Sequence, residues 1–339
     1  MKKIYSSFNP DRIRELFLVF LIVLAIGLFS IQIPNYINIS FINRLSSSLV
    51  IIGILATCQT MVFITRNFDL SVGSIVGISA YIVGFQLWKI PGMHPLVALS
   101  LAIGIGVLLG VINGAVVSYG RVPAVIATIG TLAIFRTALT IYGRSLPIMT
   151  NQLPMWAVEG FTNIVLFKFK GLEFRLIFLI MISMVIIFQL VLSYTKFGRQ
   201  LYAVGSNPDA ARIAGFANYR IVFLAYVISG ALAGLAGFIS LVRFGSAAMQ
   251  TGIGLEFAAI TAVVIGGVSN QGGSGSVFGA FLGALFVTLL EISLYRNLHV
   301  SEFWVDAALG ILILIAVIAD YVIIGKLRKV WAQRQMLDR

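Results

Sequence analysis

The sequence predicts an all-α, polytopic transmembrane bundle of about ten spans, with both termini cytoplasmic and one short, broken or half-span helix. Three observations predict it. The 339-residue chain is 59% hydrophobic and only 11% charged, against about 25% charged in soluble domains. Runs near the roughly 20 apolar residues that cross a bilayer recur along the chain. The basic residues are spread unevenly over the connections between those runs.

The elements follow in order. Segment 1–13 is basic, and the apolar run behind it has no small-residue cleavage site. A retained first span over 14–33 is expected, not a removed signal peptide. Further spans are expected over 42–64, 70–88, 95–119, 122–143, 174–194, 221–241, 256–268, 274–295 and 303–324. The stretch 256–268 covers only about 20 Å at about 1.5 Å per residue. Irregular backbone beside it is tolerated only inside protein or next to a wet cavity. With the N-terminus inside, inner segments hold 15 Lys and Arg residues and outer segments hold 8, with Arg136 inside a span. The excess supports cytoplasmic termini. It also places 196–220 and the tail 326–339 on the cytoplasmic side of a single membrane domain over 1–339.

The net charge of +12 would suggest nucleic acid in a soluble chain; here the positive-inside bias accounts for it, and no nucleic-acid partner is expected. One cysteine, Cys58, allows neither an intrachain disulfide nor a metal cluster. His94 and His299 fall in short loops and read as solvated residues. No His-Glu-x-x-His occurs, and GGSGSVFG lacks the Lys-Ser/Thr ending of a phosphate loop. No catalytic set, metal or cofactor is therefore expected, and the chain does not itself hydrolyse ATP.

Within 198–220 the sequence GRQLYAVGSNPDAARIAGFANYR interrupts the apolar pattern. Asn207 suits an N-cap and Pro208 the first helical position. Asp209 lies in the first turn, where the helix dipole favours it. Gly215 suits a left-handed cap. About two turns of helix are expected over Asn207–Gly215, a length marginal alone in water. The helix therefore packs on its own loops or docks into a partner.

Small residues recur at four-residue spacing: Gly73 and Gly77; Gly106, Gly110 and Gly114; Gly230 and Gly234; Gly275, Gly279 and Gly283. In lipid such spacing lets helix backbones approach closely, and helix packing is their expected role. A faint parallel repeat aligns 62–77 with 264–279, placing Gly73, Ser74 and Gly77 on Gly275, Ser276 and Gly279. Interrupted segments in corresponding positions point to a transport path. Polar residues within spans are Gln59, Thr60, Asn113, Thr128, Thr131, Arg136, Gln189, Glu256, Thr261, Glu291, Asp306 and Asp320. Gln59, Asn113, Thr128, Thr131 and Thr261 are the candidate pathway residues, since membrane polar groups usually face the bundle interior or a cavity. Their uncharged character suits a neutral, hydroxylated solute. The outer loop 144–173 is long, and a short surface helix is expected around Met155–Gly160.

Four segments, TRNFDLSVGSIVGISA, VPAVIATIGTLAIFRT, FGRQLYAVGSNPDAARIAGF and TAVVIGGVSNQGGSGSVFGAFLGA, together resemble the ribose-type branch of ATP-binding-cassette (ABC) importer permeases. The resemblance runs from about Leu45 to Gly325. Within the branch it is similar to the autoinducer-2, rhamnose and ribose permeases, and QTGIGLE and GGSGS lean toward the autoinducer-2 type. The resemblance implies a bacterial inner-membrane permease that imports a small sugar-like solute by alternating access. Its implied partners are cytoplasmic ATPase subunits, a second permease subunit (identical or sibling), and a periplasmic or lipid-anchored solute-binding protein, besides membrane lipid. It also implies that Ser206, Asn207, Pro208, Asp209, Ala210, Ala211, Arg212 and Gly215 form the cytoplasmic coupling helix. The competing expectations are a self-sufficient secondary transporter or channel, which needs a coupling-ion site or charged relay, and an intramembrane enzyme, which needs a catalytic set.

Overall fold

The structure, a computed structural model, describes residues 10–297 except 145, 162 and 163, together with 301, 304, 307–312, 314, 315 and 318. Helices dominate it: α1 (Pro10–Gln32), α2 (Ile39–Ile64), α3 (Val72–Lys89), α4 (Pro95–Gly114), α5 (Ala124–Gly143), α6 (Leu176–Tyr194), α7 (Lys196–Ser206), α8 (Pro208–Ile213), α9 (Asn218–Phe244), α10 (Leu255–Ile265) and α11 (Val277–Glu291). Single π-helical turns extend α4 over Ala115–Tyr119 and α11 over Ile292–Asn297. Eight of the described helices are long and apolar enough to cross a membrane. The polytopic helical bundle read from the sequence is therefore observed.

α2 is the axis of the bundle, with every residue from Leu49 to Ile64 buried. It packs against α9, α11, α6 and α10. α4 and α9 form the most extensive helix pair, and glycine makes their approach possible. A Cβ on Gly106 would sit 2.9 Å from both Cα and N of Gly234, and one on Gly230 would sit 2.8 Å from Cα of Gly110. Gly114 faces Phe223 and Tyr226 of α9 in the same way. A second close pair joins α10 to α11, where a Cβ on Gly283 would lie 2.9 Å from Gly266 N and Gly279 faces the Gly266 carbonyl.

The short stretch expected over 256–268 is α10, 11 residues long and flanked by irregular backbone on both sides, as the sequence predicts. The structure differs from the sequence expectations in three places. The outer loop holds the expected short helix, a π turn over Trp156–Gly160. It also holds an antiparallel hairpin of β1 (Val165–Phe169) and β2 (Leu172–Arg175), which no helical reading anticipates. Segment 196–206 is a helix of its own, α7. Gly275 lies ahead of α11 at φ +124°, a conformation that favours glycine, so it is a turn glycine and not part of a helical stripe. Its neighbour Ser276 caps α11, accepting from Gly279 N at 2.9 Å. His94 is exposed and caps α4, Nδ1 accepting from Leu96 N at 3.3 Å. Residues 1–9, His299, Asp306, Asp320, the tail 326–339 and most of the span expected over 303–324 lie outside the described residues.

Candidate functional site

Two features stand out at one end of the bundle. The first is the rod formed by α7 and α8. Thr195 starts α7, its hydroxyl accepting from Gly198 N at 3.1 Å. Asn207 starts α8, its Oδ1 accepting from the Asp209 and Ala210 amides at 3.1 and 3.0 Å. Pro208 occupies the first turn, and its carbonyl accepts from Asn218 Nδ2 at 2.7 Å. Gly215, at φ +86°, ends α8 with Gly215 N–H donating to Arg212 O and Phe216 N–H to Ala211 O, both at 3.0 Å. This is the six-to-one, five-to-two pattern that closes a helix in left-handed backbone. Ala211 turns inward, whereas Asp209, Ala210, Arg212, Ile213 and Gly215 are exposed. Ile213 is 86% exposed. The Asp209–Arg212 ion pair at 3.7 Å is also exposed, so it contributes little.

The rod is fastened to two other turns. Arg66 donates Nε to the Gly205 carbonyl and Nη2 to the Ser206 carbonyl, the latter at 2.5 Å. Gly273 N–H donates to Ile64 O at 2.9 Å, at the end of α2. Gly205 sits where a Cβ would lie 2.6 Å from Gly273 N. Tyr202 donates its hydroxyl to Gly275 O at 2.6 Å. The end of α2, the end of α7 and the turn before α11 thus meet at one point. The two stretches aligned as a repeat touch there, since a Cβ on Gly272 would lie 3.0 Å from Arg66 N.

The second feature is a buried polar knot in the α2–α3 connection. Asp69 is fully buried, and its Oδ1 accepts from Ser71 N at 3.0 Å, from the Ser71 hydroxyl at 2.6 Å and from Asn113 Nδ2 at 3.5 Å. Ser229 donates to Oδ2 at 3.5 Å, and Asn113 Nδ2 also reaches Ser71 Oγ at 2.6 Å. Gln59 Nε2 donates to the Asp69 carbonyl, and Tyr226 donates its hydroxyl to Phe68 O at 2.7 Å. A short connection is thereby tied to α2, α4 and α9. Asp69 escaped the sequence reading; the signal was an acid followed two residues later by serine, the spacing of a side-chain-to-backbone turn.

Among the five candidate pathway residues, Gln59 and Asn113 converge on this knot. Thr128, Thr131 and Thr261 do not join them; their hydroxyls donate to the carbonyls of Ala124, Thr128 and Phe257, within their own helices. Thr60 does the same with Ala56 O. Gln189 donates to Ser193 Oγ at 3.1 Å and accepts from Phe278 N at 3.0 Å. Arg136 fastens the irregular backbone ahead of α10, donating Nη1 to the carbonyls of Met249 and Thr251 at 3.0 and 2.7 Å. That backbone lies against α3 at Gly73 and Gly77, where any side chain would strike the carbonyls of Gly252 and Thr251. Glu256, 6% exposed, accepts from Gly254 N at 3.3 Å. No cluster of three or more metal-ligating side chains occurs among the described residues.

Comparison with known proteins now fits this architecture. Residues 41–317 match the family described as branched-chain amino acid transport system / permease component. The autoinducer 2 import system permease protein LsrC of Photorhabdus luminescens is 33% identical over 325 residues, covering 95% of this chain and 94% of its own. The protein of the same name from Enterobacter sp. (strain 638) is 35% identical over 319 residues, covering 93% and 88%. That from Shigella flexneri is 33% identical over 323 residues, again covering 93% and 88%. No solved structure matches. The permease resemblance read from the four motifs is borne out, and the chain belongs to the branched-chain amino acid transport system permease-component family as a multi-pass membrane protein.

Proposed function

We propose that the chain is the membrane subunit of an ABC importer in the bacterial cytoplasmic membrane, and that its solute is autoinducer-2 in preference to ribose or rhamnose. Two permease subunits, identical or sibling, form the path. Separate ATPase subunits supply the energy, and a periplasmic or lipid-anchored binding protein delivers the solute. The solute assignment rests on the relatives, which are autoinducer 2 import permeases. The subunit contributes no catalytic group of its own.

The observation that carries this reading is the rod. It is short, capped at both ends, and exposes Asp209, Ala210, Arg212 and Ile213 outward. A helix as short as α8 is not stable alone in water, so its shape is maintained by its caps and by the end of α7 that Arg66 fastens. An exposed isoleucine beside exposed charge suits insertion into a groove on a separate ATPase. When ATP draws the ATPase pair together, the rods move, and the turns fastened to them carry that motion to α2 and α11. Selectivity then resides mainly in the delivering protein.

The test uses the whole complex in lipid. Replacing Asp209 and Arg212 together by alanine is expected to leave the permease inserted and the ATPase active, while solute uptake is lost. Loss of the folded permease instead would show that the segment is purely structural. Comparing which sugar-like solute stimulates ATP hydrolysis, with its binding protein supplied, decides the substrate.

A further inference from the structure

The hairpin lies at the opposite end of α6 from the rod. β2 ends at Arg175 and α6 begins at Leu176, with no residue between them. The 19 residues of α6 span about 28 Å at about 1.5 Å per residue, close to the roughly 30 Å of hydrocarbon in a bilayer. The base of the hairpin is therefore held at the membrane boundary. Its turn is held there too. A Cβ on Gly171 would lie 3.1 Å from Ile39 Cδ1, at the first residue of α2. Asn43 of α2 donates Nδ2 to Gly171 O at 3.1 Å, and its Oδ1 accepts from Glu173 N at 3.0 Å. The hairpin thus links the starts of α6 and α2, two helices long and apolar enough to cross a membrane.

Its register sorts the side chains onto two unlike faces. Phe167 pairs with Phe174 and Phe169 with Leu172, so these four share one face. The Phe167 and Phe174 rings stack at 4.2 Å. Lys168 pairs with Glu173 on the other face, and Arg175 follows Glu173 by two residues on that same face. There Lys168 Nζ lies 2.9 Å and Arg175 Nη2 3.0 Å from the Glu173 carboxylate. These two cations hold the Glu173 carboxyl below its ordinary value, so the charged face stays charged. The turn places Lys170 and Gly171 at positive φ, 47° and 88°, the two-residue type that matches strand twist. Because Asn43 occupies the outer edge of β2, β1 faces away from the bundle. Phe167 and Phe169 remain 53% and 59% exposed. An isolated two-stranded hairpin is marginal in water, and an open aromatic face worsens that.

We propose that this hairpin is a lipid anchor, with Phe167, Phe169, Leu172 and Phe174 facing the acyl boundary of the leaflet opposite the rod and Lys168 and Lys170 meeting the phosphates of anionic headgroups. Three basic residues against one acid over 168–175 complement an anionic surface, and an apolar face backed by basic residues is the composition of interfacial segments. Continuity with the ends of α6 and α2 places the face at lipid, not at a distant protein. The anchor clamps the outer ends of these two spans to the leaflet while the opposite ends move. The inference rests on membrane insertion alone and is independent of the solute and the ATPase.

The test exploits the single, buried cysteine, Cys58. In a Cys58→Ser background, Phe169→Cys and Lys168→Cys carry a spin label. The full chain is placed in phosphatidylethanolamine vesicles with and without phosphatidylglycerol. At position 169 the label is expected to collide several-fold more with oxygen dissolved in lipid than with a water-soluble nickel chelate. At position 168, one residue away, the preference reverses. Adding Lys168→Gln and Lys170→Gln to the Phe169→Cys variant should abolish any deepening caused by phosphatidylglycerol. Equal exposure of both labels to the chelate overturns the proposal. So does protection of position 169 only after a solute-binding protein is added, which would make the face a protein-docking surface. Label at position 168, on the same hairpin, reports whether the strands have remained paired.

Discussion

Replacing Gly106 by alanine tests how the bundle is held together. The new methyl would fall 2.9 Å from both Cα and N of Gly234 and would also strike the Gly230 carbonyl. These are backbone atoms of α9, so no side chain can rotate away. Ordinary carbon contacts lie near 3.5–4.0 Å, so α4 and α9 must separate locally by roughly 1 Å. A gap of that size forfeits about a quarter to a half of each dispersion contact it opens. Overpacking of this kind costs about 1–3 kcal/mol, and the α4–α9 pair is the most extensive in the bundle, which points to about 2–3 kcal/mol. Gly130→Ala is the control, because a Cβ there meets nothing within 4 Å. In mid-helix that change should stabilise by about 0.5–1 kcal/mol, the ordinary difference between alanine and glycine. The two variants therefore shift stability in opposite directions. Reversible unfolding of the reconstituted protein measures both, and equal stability of the two would refute the close-approach reasoning.

Three other predictions follow from the hydrogen-bond geometry. Arg66→Ala removes both of its bonds to the end of α7; in the assembled complex it should lower uptake per ATP hydrolysed, and unchanged coupling would show that the fastening carries no motion. Asp69→Ala leaves the Ser71 amide and the Ser71 hydroxyl proton without an acceptor in a buried site, at about 1–3 kcal/mol. Asp69→Asn keeps an acceptor and should recover most of that in a thermal melt, whereas equal loss in both variants would mean that the charge itself is required. For Glu173, whose carboxyl is depressed by hydrogen bonds to Lys168 and Arg175, the stabilising contribution is present above the ordinary glutamate value and is lost as pH falls through the depressed one. Spin-label mobility at position 169 should accordingly stay constant down to the ordinary glutamate range and rise below it; loosening already near neutral pH would contradict the ion pairs.

Much of this architecture is legible in the amino-acid sequence, because spans, caps and turns are local. Asn207, Pro208 and Gly215 announce α8 by residue type alone, and the structure places each cap there. The shortness of α10 shows as a 13-residue apolar run. Other features depended on signals that the surrounding hydrophobicity obscures. The hairpin is written in VLFKFKGLEFR, an alternation of apolar and charged residues about Lys-Gly, yet beside long spans it reads as a loop. Gly275 shares its spacing with Gly279 and Gly283, and only the cap at Ser276 separates a turn glycine from packing glycines. Only the Asp69–Ser71 turn of the knot is local; its long-range partners Gln59, Asn113 and Ser229 come from three helices far apart in sequence. Conversely, threonines that look available for a solute bond back to their own helices, a habit invisible from residue type.

The meeting of Ile64, Arg66, Gly205, Ser206 and Gly273 has a kinematic consequence. One spot joins a turn from the first half of the chain to two from the second. There is little slack to take up, for a glycine at 205 leaves no gap between the pieces. On the proposed function, a push on the rod would therefore reach α2 and the turn ahead of α11 together, with no flexible loop between them.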